Sequence, residues 1–378
     1  MARRKKRFKK NIIKFFLSVI LVALVSYLSY QGYNYFLGKN TSDVNGSVGI
    51  KNNNKPAENK EQVYKLKLLA TGDGLIHSVI YRNYYKNGVY DFTDAVKHVK
   101  DIVKDYDIAY YNQETPAGDD SIAYSGYPMF YTPSAYVDAM CAIGFNTVSL
   151  ASNHCLEKGE KGILNTVKYF KTTDILYNGM SDSESDRNNF IIKEKNNITY
   201  TMLSYTTITN GLNVPAGKSY LLNLYDKEQV KKDIEAVRDK VDVLIVAMHW
   251  GIEYINMPND EEKEIAEYLS SLGVDIVIGN HPHILQPITK IGDTIVMYSL
   301  GNFISNQYGG SNGDWTKLIG FLATLDITHT VSKDNEVKTK KGEFWEVRDE
   351  NSKKDDPRLE CFRTLLDEGK EWNYGSSI

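Results

Sequence analysis

Short apolar runs recur along the chain from about residue 64, and most of them end in polar residues. KLKLLAT (65–71), DIAYYN (107–112), TVSLAS (147–152), ITYTMLSYT (198–206), VDVLIVAMHW (241–250), VDIVIG (274–279), DTIVMYSLG (293–301) and LIGFLATLDI (318–327) read as strands. Runs this continuously hydrophobic suit strands buried on both faces. Helical stretches fall between them, near Phe92–Lys104, Ser134–Ile143, Lys161–Thr172, Asp226–Lys240 and Glu261–Leu272. The alternation predicts an α/β layered fold over residues 64–330, with some of the later, consecutive strands antiparallel.

The first 63 residues follow a different pattern. Residues 1–10 are a basic block, and FFLSVILVALVSYLSY followed by YNYF makes residues 11–36 apolar with an aromatic end. The length suits one membrane-spanning helix, and the flanking charge puts the amino terminus in the cytoplasm and the main domain outside the cell. A cleaved signal peptide is the competing reading, but no small-x-small site follows the apolar run. Residues 37–63 are rich in Asn, Lys, Gly and Ser and read as a disordered tether. Residues 331–378 are charged and read as a solvated extension with room for one strand and one short helix.

Charge changes the picture once the chain is divided. The formal net charge is −3, but eight of the 45 basic residues lie within Met1–Leu37, leaving 37 bases against 48 acids in the remainder. An excess of 11 negative charges argues against nucleic acid as a partner of the main domain. Three cysteines, Cys141, Cys155 and Cys361, give neither a disulfide framework nor a CxxC metal site. Cys155 stands beside His154, where a small buried thiol is the simpler account than a nucleophile.

Candidate chemistry gathers at the ends of the strand-like runs. Of seven histidines, five (His77, His154, His249, His281 and His283) follow such runs, together with Asp73, Asn112, Glu114 and Asn153. In GNHPHILQ, alternation along an extended segment would turn His281 and His283 to one side. Singly, each has a plain alternative: Asp73 as a turn or cap residue, His249 as a hydrogen-bonded core histidine. Collectively they are the oxygen and imidazole ligands that zinc, manganese or iron accept. They are numerous enough for two ions, which together would activate water for attack on phosphorus.

The ordered set GDGLIH, NQETP, GFNTVSLASNHCLEKGEKGILNT, AMHWGIEY, GVDIVIGNHPHILQPI and YSLGNFISNQ resembles the bacterial capsule-synthesis family of the CapA or PgsA type, linked to poly-γ-glutamate capsules. That family is similar in fold and site layout to the calcineurin-like metallophosphoesterases. The resemblance therefore implies a metallophosphoesterase-like layered β-sandwich flanked by helices, preceded by one transmembrane helix. It implies Asp73, His77, Glu114, Asn153, His249, His281 and His283 as ligands of divalent metal, with Glu114 bridging. It implies His154 as the group that protonates a leaving oxygen. Two departures stand out: three residues separate Asp73 from His77 where the metallophosphoesterase motif has one, and Asn-Gln-Glu replaces Gly-Asp-x-x-Asp.

Asn112, Trp250, Glu253 and Asn302 lie beside these residues in sequence and are candidate substrate contacts. The tyrosine-rich loop YSGYPMFYTPSAY offers either a wall for an extended polymer or packing for its own domain. The resulting expectation is a cell-membrane protein acting in capsule or cell-surface polymer biosynthesis or export. Its partners would be polymer synthase and export proteins, and its substrate an anionic polymer or phosphoester. The alternatives are a non-catalytic polymer-binding component of the export complex, or a metal-dependent phosphoesterase unrelated to capsule.

Overall fold

Both faces of most central strands are buried, which explains their unbroken apolar runs. In β1 (Gln62–Gly74), Leu66, Leu68 and Ala70 point to one layer and Leu69 to the other. In β11 (Val243–His249), Val243, Ile245 and Ala247 point inward while Leu244, Val246 and Met248 point outward. The computed structural model describes residues 62–307 and 316–331, and the backbone of 337–345. The expected basic segment, membrane helix and nearly all of the tether lie outside the described residues. So do 332–336 and 346–378. Among the described residues no helix is long and apolar enough to cross a membrane.

The strands form two principal sheets. The first has the order β17 (Val337–Trp345), β16 (Leu322–Val331), β1, β4 (Ile108–Asn112), β7 (Thr147–Ser149) and β8 (Leu176–Asn178), with β15 (Asn302–Ile304) paired to the end of β1. Pairing is parallel from β1 through β8 and at β15, and antiparallel at β16 and β17. The second sheet has the order β13 (Leu285–Ile291), β14 (Thr294–Leu300), β12 (Ile276–Asn280), β11, β10 (Ile198–Thr206) and β9 (Lys193–Lys195). Strands β10, β11, β12 and β14 are parallel, whereas β9 and β13 are antiparallel edges. Two small pairs, β2 (Tyr85–Lys86) with β3 (Val89–Tyr90) and β5 (Ala117–Gly118) with β6 (Thr132–Pro133), complete the set among the described residues.

One core lies between the sheets, where Leu66, Leu68, Ile108 and Tyr110 meet Tyr200, Met202, Ile245, Ile278 and Met297. Each buried aliphatic side chain there contributes about 1.5–3 kcal/mol relative to exposure. Helices cover the outer faces. Ala135–Ile143 and Gly159–Phe170 press Val137, Met140, Ile163 and Phe170 onto the first sheet, and Lys227–Val237 and Asp260–Ser271 press Val230, Ile234, Ile265 and Leu269 onto the second. The layers run helix, sheet, sheet, helix.

The start of Asp260–Ser271 is fixed by a capping box between Asn259 and Glu262. The helix expected over Phe92–Lys104 is instead two single turns, Thr93–Val96 and Lys100–Val103. Between them the backbone tightens to three-residue spacing, with Val99 N–H on the Val96 carbonyl at 3.3 Å and Ile102 N–H on Val99 at 3.0 Å. Strands β8, β9, β13 and β15 of the principal sheets, and the two small pairs, lie outside the expected set. The expected C-terminal extension supplies the edge strand β17, and the first sheet already begins at Gln62, within the expected tether.

Candidate metal centre

Parallel strands of both sheets end at one rim, so residues at their carboxyl ends converge there. Asp73 near the end of β1 is level with Asn112 of β4 and Asn302 of β15, while His249 of β11 is level with Asn280 of β12. Glycine lets the strands come close enough: a Cβ on Gly279 would lie 1.9 Å from the Tyr298 carbonyl oxygen, and one on Gly72 would lie 1.8 Å from that of Gly301.

Glu114 is the centre of the arrangement. One of its carboxylate oxygens, Oε1, has three imidazole nitrogens around it: His283 Nε2 at 3.5 Å, His154 Nε2 at 3.7 Å and His249 Nε2 at 3.9 Å. The carboxylate is fully buried, and neither oxygen has a hydrogen-bond partner among the described residues. His281 Nδ1 and Asn112 Oδ1 are likewise buried and unpartnered. Buried polar atoms are normally satisfied, and a buried carboxylate without donors is costly. Divalent cations at this position would satisfy these atoms, so the residues present fit a divalent metal. Three sets have ligand atoms within 4.8 Å of one another: Asp73, Glu114 and His283; Glu114, His249 and His281; and Glu253, His281 and His283.

Neighbouring amides and backbone groups hold these side chains in place. Asn112 Nδ2 donates to Asp73 Oδ1 at 2.8 Å and lies 3.4 Å from His249 Nδ1. On its other nitrogen, His249 Nε2 meets Asn153 Oδ1 at 3.0 Å. His283 Nδ1 lies between Asn302 Oδ1 at 3.0 Å and Asp73 Oδ2 at 3.2 Å, leaving Nε2 toward Glu114. Asp73 Oδ2 also accepts the His281 backbone N–H at 3.2 Å.

The histidine pair is not extended, as alternation had suggested. His281 and His283 adopt φ of 99° and 60°, and this left-handed backbone brings their rings to 5.9 Å.

Burial and charge set the protonation of the site. Burial pushes Glu114 well above the usual carboxylate range and His249 well below the usual imidazole value. Burial, helped by the neighbouring His283, lowers His281 to about 4. Burial opposes charge on His283 too, but the Glu114 and Asp73 carboxylates outweigh it and lift His283 to about 9. Glu114 and His283 therefore keep at least one proton between them at neutral pH.

His154 faces Glu114 through Nε2, while its Nδ1 lies 2.5 Å from Glu157 Oε1. Glu157 Oε2 accepts the Phe130 N–H at 2.7 Å, and Asn210 Nδ2 donates to Oε1 at 3.2 Å. An imidazole oriented by one carboxylate and facing the centre with its other nitrogen can carry a proton to a leaving group. Cys155 is buried, donates to the Leu150 carbonyl at 3.0 Å and accepts from Ser152 N–H at 3.0 Å. Burial pushes its thiol up to about 12, which fits a structural role.

Five expected residues stand differently. His77 is outside the three ligand sets: its Nδ1 accepts the Asn306 N–H at 3.2 Å and its ring is edge-on to Phe130 at 5.2 Å. Trp250 corrects the expectation of a substrate contact. It is fully buried, stacks on Tyr298 at 5.8 Å and donates its indole N–H to the Tyr298 carbonyl at 3.0 Å, because its side chain turns to the helix-covered face of the second sheet. Asn112 is also fully buried and orients Asp73 and His249, while Asn302 orients His283. Glu253 is exposed at the rim and belongs to a ligand set. Sequence reasoning missed Glu157, although its three-residue spacing from His154 is the reach of one helical turn. Asn210 carried only the weak signal of an Asn-Gly turn.

The profile of the family described as "Bacterial capsule synthesis protein PGA_cap" matches residues 67–307, which include every residue of the three ligand sets. A 175-residue stretch is 31% identical to "Capsule biosynthesis protein CapA" of Bacillus anthracis, covering 45% of this chain and 43% of that protein. A 167-residue stretch is 34% identical to "PGA biosynthesis protein CapA" of Bacillus subtilis (strain 168), covering 44% of each. These alignments thus span less than half of either relative. Among solved structures, a Staphylococcus aureus protein assigned as a 5'-nucleotidase aligns with a TM-score of 0.45 at 13% identity, over 81% of this chain and 58% of that one. With the profile covering well over half of its residues, the chain belongs to the bacterial capsule synthesis protein PGA_cap family.

Proposed function

We propose that this protein acts at the outer face of the cell membrane in the biosynthesis or export of a capsule or related cell-surface polymer, as a metal-dependent hydrolase or transferase of metallophosphoesterase type. Poly-γ-glutamate is the first candidate polymer, on the family resemblance and the name of the Bacillus subtilis relative. The reading rests on one observation: a buried, unpartnered Glu114 carboxylate with three imidazoles around one oxygen. Asp73, Glu114, Asn153, His249, His281 and His283 would hold the metal, as two ions of manganese, iron or zinc. When bound, such ions supply Lewis-acid polarisation and an activated water. His154 delivers the proton from Nε2 to the leaving oxygen, and Glu157 holds its Nδ1. The expected membrane helix over 11–36 would tether the domain beside synthase and export partners.

A second reading is a polymer-binding component without turnover. It is favoured by Tyr127, 80% exposed, which packs on Phe130 at 6.4 Å, and Phe130 in turn contacts His154 at 4.6 Å. The deciding experiment is His154→Ala in a capsule-producing host, with metal content measured by plasma mass spectrometry. Loss of polymer output with metal retained supports catalysis. Wild-type output from the variant refutes it and leaves the binding reading.

A further inference from the structure

Seven non-glycine residues among those described have a left-handed backbone, and four of them are asparagines, which tolerate it. The other three are Tyr254, His281 and His283. All three lie where the loop after β11 faces the loop after β12. Strained backbone concentrated in this way is kept only where the surroundings impose it and commonly marks a binding site.

The two loops are fastened together. Trp250 N–H donates to the Asn280 carbonyl at 3.1 Å, Tyr254 N–H to the Pro282 carbonyl at 2.8 Å, and the Gln286 side-chain amide to the Ile255 carbonyl at 2.9 Å. Between these ties stands Glu253, an exposed carboxylate held within 4.8 Å of ligand nitrogens on two buried imidazoles. Its neighbour Tyr254 lays its ring 6.0 Å from that of His283. His281 is 5% exposed and keeps an unpartnered Nδ1, and it belongs both to the inner set with Glu114 and His249 and to the outer set with Glu253 and His283.

We propose that Glu253 is the solvent-side ligand of the outer of the two divalent cations, reaching it beside His281 and His283 at the rim of the buried Glu114 centre. This rests on the reading of that centre as a divalent-metal site. The family layout draws its carboxylate ligands from Asp73 and Glu114 and gives Glu253 none of this role. A cation held there by two buried imidazoles and the exposed Glu253 carboxylate would keep a side toward solvent. That is the coordination a water or an anionic group of a substrate needs. Being exposed, Glu253 is also the ligand that such a group can replace without unburying the others.

The test is calorimetric titration of the full-length protein in detergent with Mn2+ and with Zn2+, each alone, for wild type, Glu253→Gln and the exposed control Glu264→Gln. Glu253→Gln keeps the size of the side chain at an exposed position, and its thermal midpoint should match wild type. The expected result is about a tenfold or greater loss of affinity for at least one bound ion in Glu253→Gln, with the control unchanged. Equal binding by wild type and Glu253→Gln, or an equal loss in the control, overturns the proposal while leaving the buried site standing. No binding of either ion by wild type overturns both.

Discussion

His154 Nδ1 and Glu157 Oε1 lie 2.5 Å apart, while the opposite ring nitrogen faces Glu114 at 3.7 Å. The carboxylate thus fixes which nitrogen is presented to the centre, and the Phe130 N–H fixes the carboxylate. Glu157→Gln should lower turnover of a chromogenic aryl phosphate by roughly 10- to 100-fold with metal content unchanged. His154→Ala should cost roughly 100- to 10,000-fold. Full activity in Glu157→Gln would remove the orienting role.

Metal affinity should rise with pH. Burial disfavours charge on His283, yet Glu114 and Asp73 lift it to about 9, and burial raises Glu114. The metal-free pair therefore holds a proton that a cation must displace. A group whose pKa is raised in the metal-free protein favours that state at lower pH, so affinity climbs by up to about tenfold per pH unit until about pH 9. His281, lowered to about 4, is already neutral in this range and adds nothing to the slope. Titrations at about pH 6.5, 7.5 and 8.5 in buffers of different ionisation enthalpy measure both affinity and proton release. A flat profile would contradict the protonated pair.

Trp250 should report on stability, not on substrate. Trp250→Ala removes a fully buried indole and its hydrogen bond to Tyr298, and should cost about 3–5 kcal/mol by urea unfolding. Trp250→Phe keeps the aromatic contact and should cost less. Polymer affinity of the folded fraction should be unchanged in Trp250→Phe; a selective loss there would return the residue to the binding surface.

Gly279→Ala should break the join between β12 and β14. The new Cβ would stand 1.9 Å from the Tyr298 carbonyl oxygen, which cannot move away without parting the strands, and 2.5 Å from the Trp250 indole nitrogen. The expected outcome is loss of soluble, folded protein by circular dichroism. A variant with normal yield and metal content would show that the sheet has slack at this point.

The strands that carry the site were legible because burial on two faces leaves an unbroken apolar run, as in VDVLIVAMHW. Chemistry at their ends was legible because His249 closes one such run and His281 and Glu114 follow within two residues of others. What the sequence hid has physical causes. Leu176–Asn178 is too short to show a period, and Val99 and Ile102 fit a three-residue repeat as well as a helical one. Trp250 follows His249 directly, so nearness in the chain suggested nearness to substrate, yet the two side chains point to opposite faces of a pleated strand. The left-handed turns at His281 and His283 occur at residues that carry no glycine signal.

Because Asp73 and Glu114 come from the first sheet while His249, His281 and His283 come from the second, any ion they share is also a clasp between the two halves of the domain. The described cysteines, Cys141 and Cys155, are free and supply no covalent brace. Saturation at 100 times the dissociation constant would add about 2.7 kcal/mol to the folded state. The supply of trace metal would then govern how much of the protein survives, as well as what it can do.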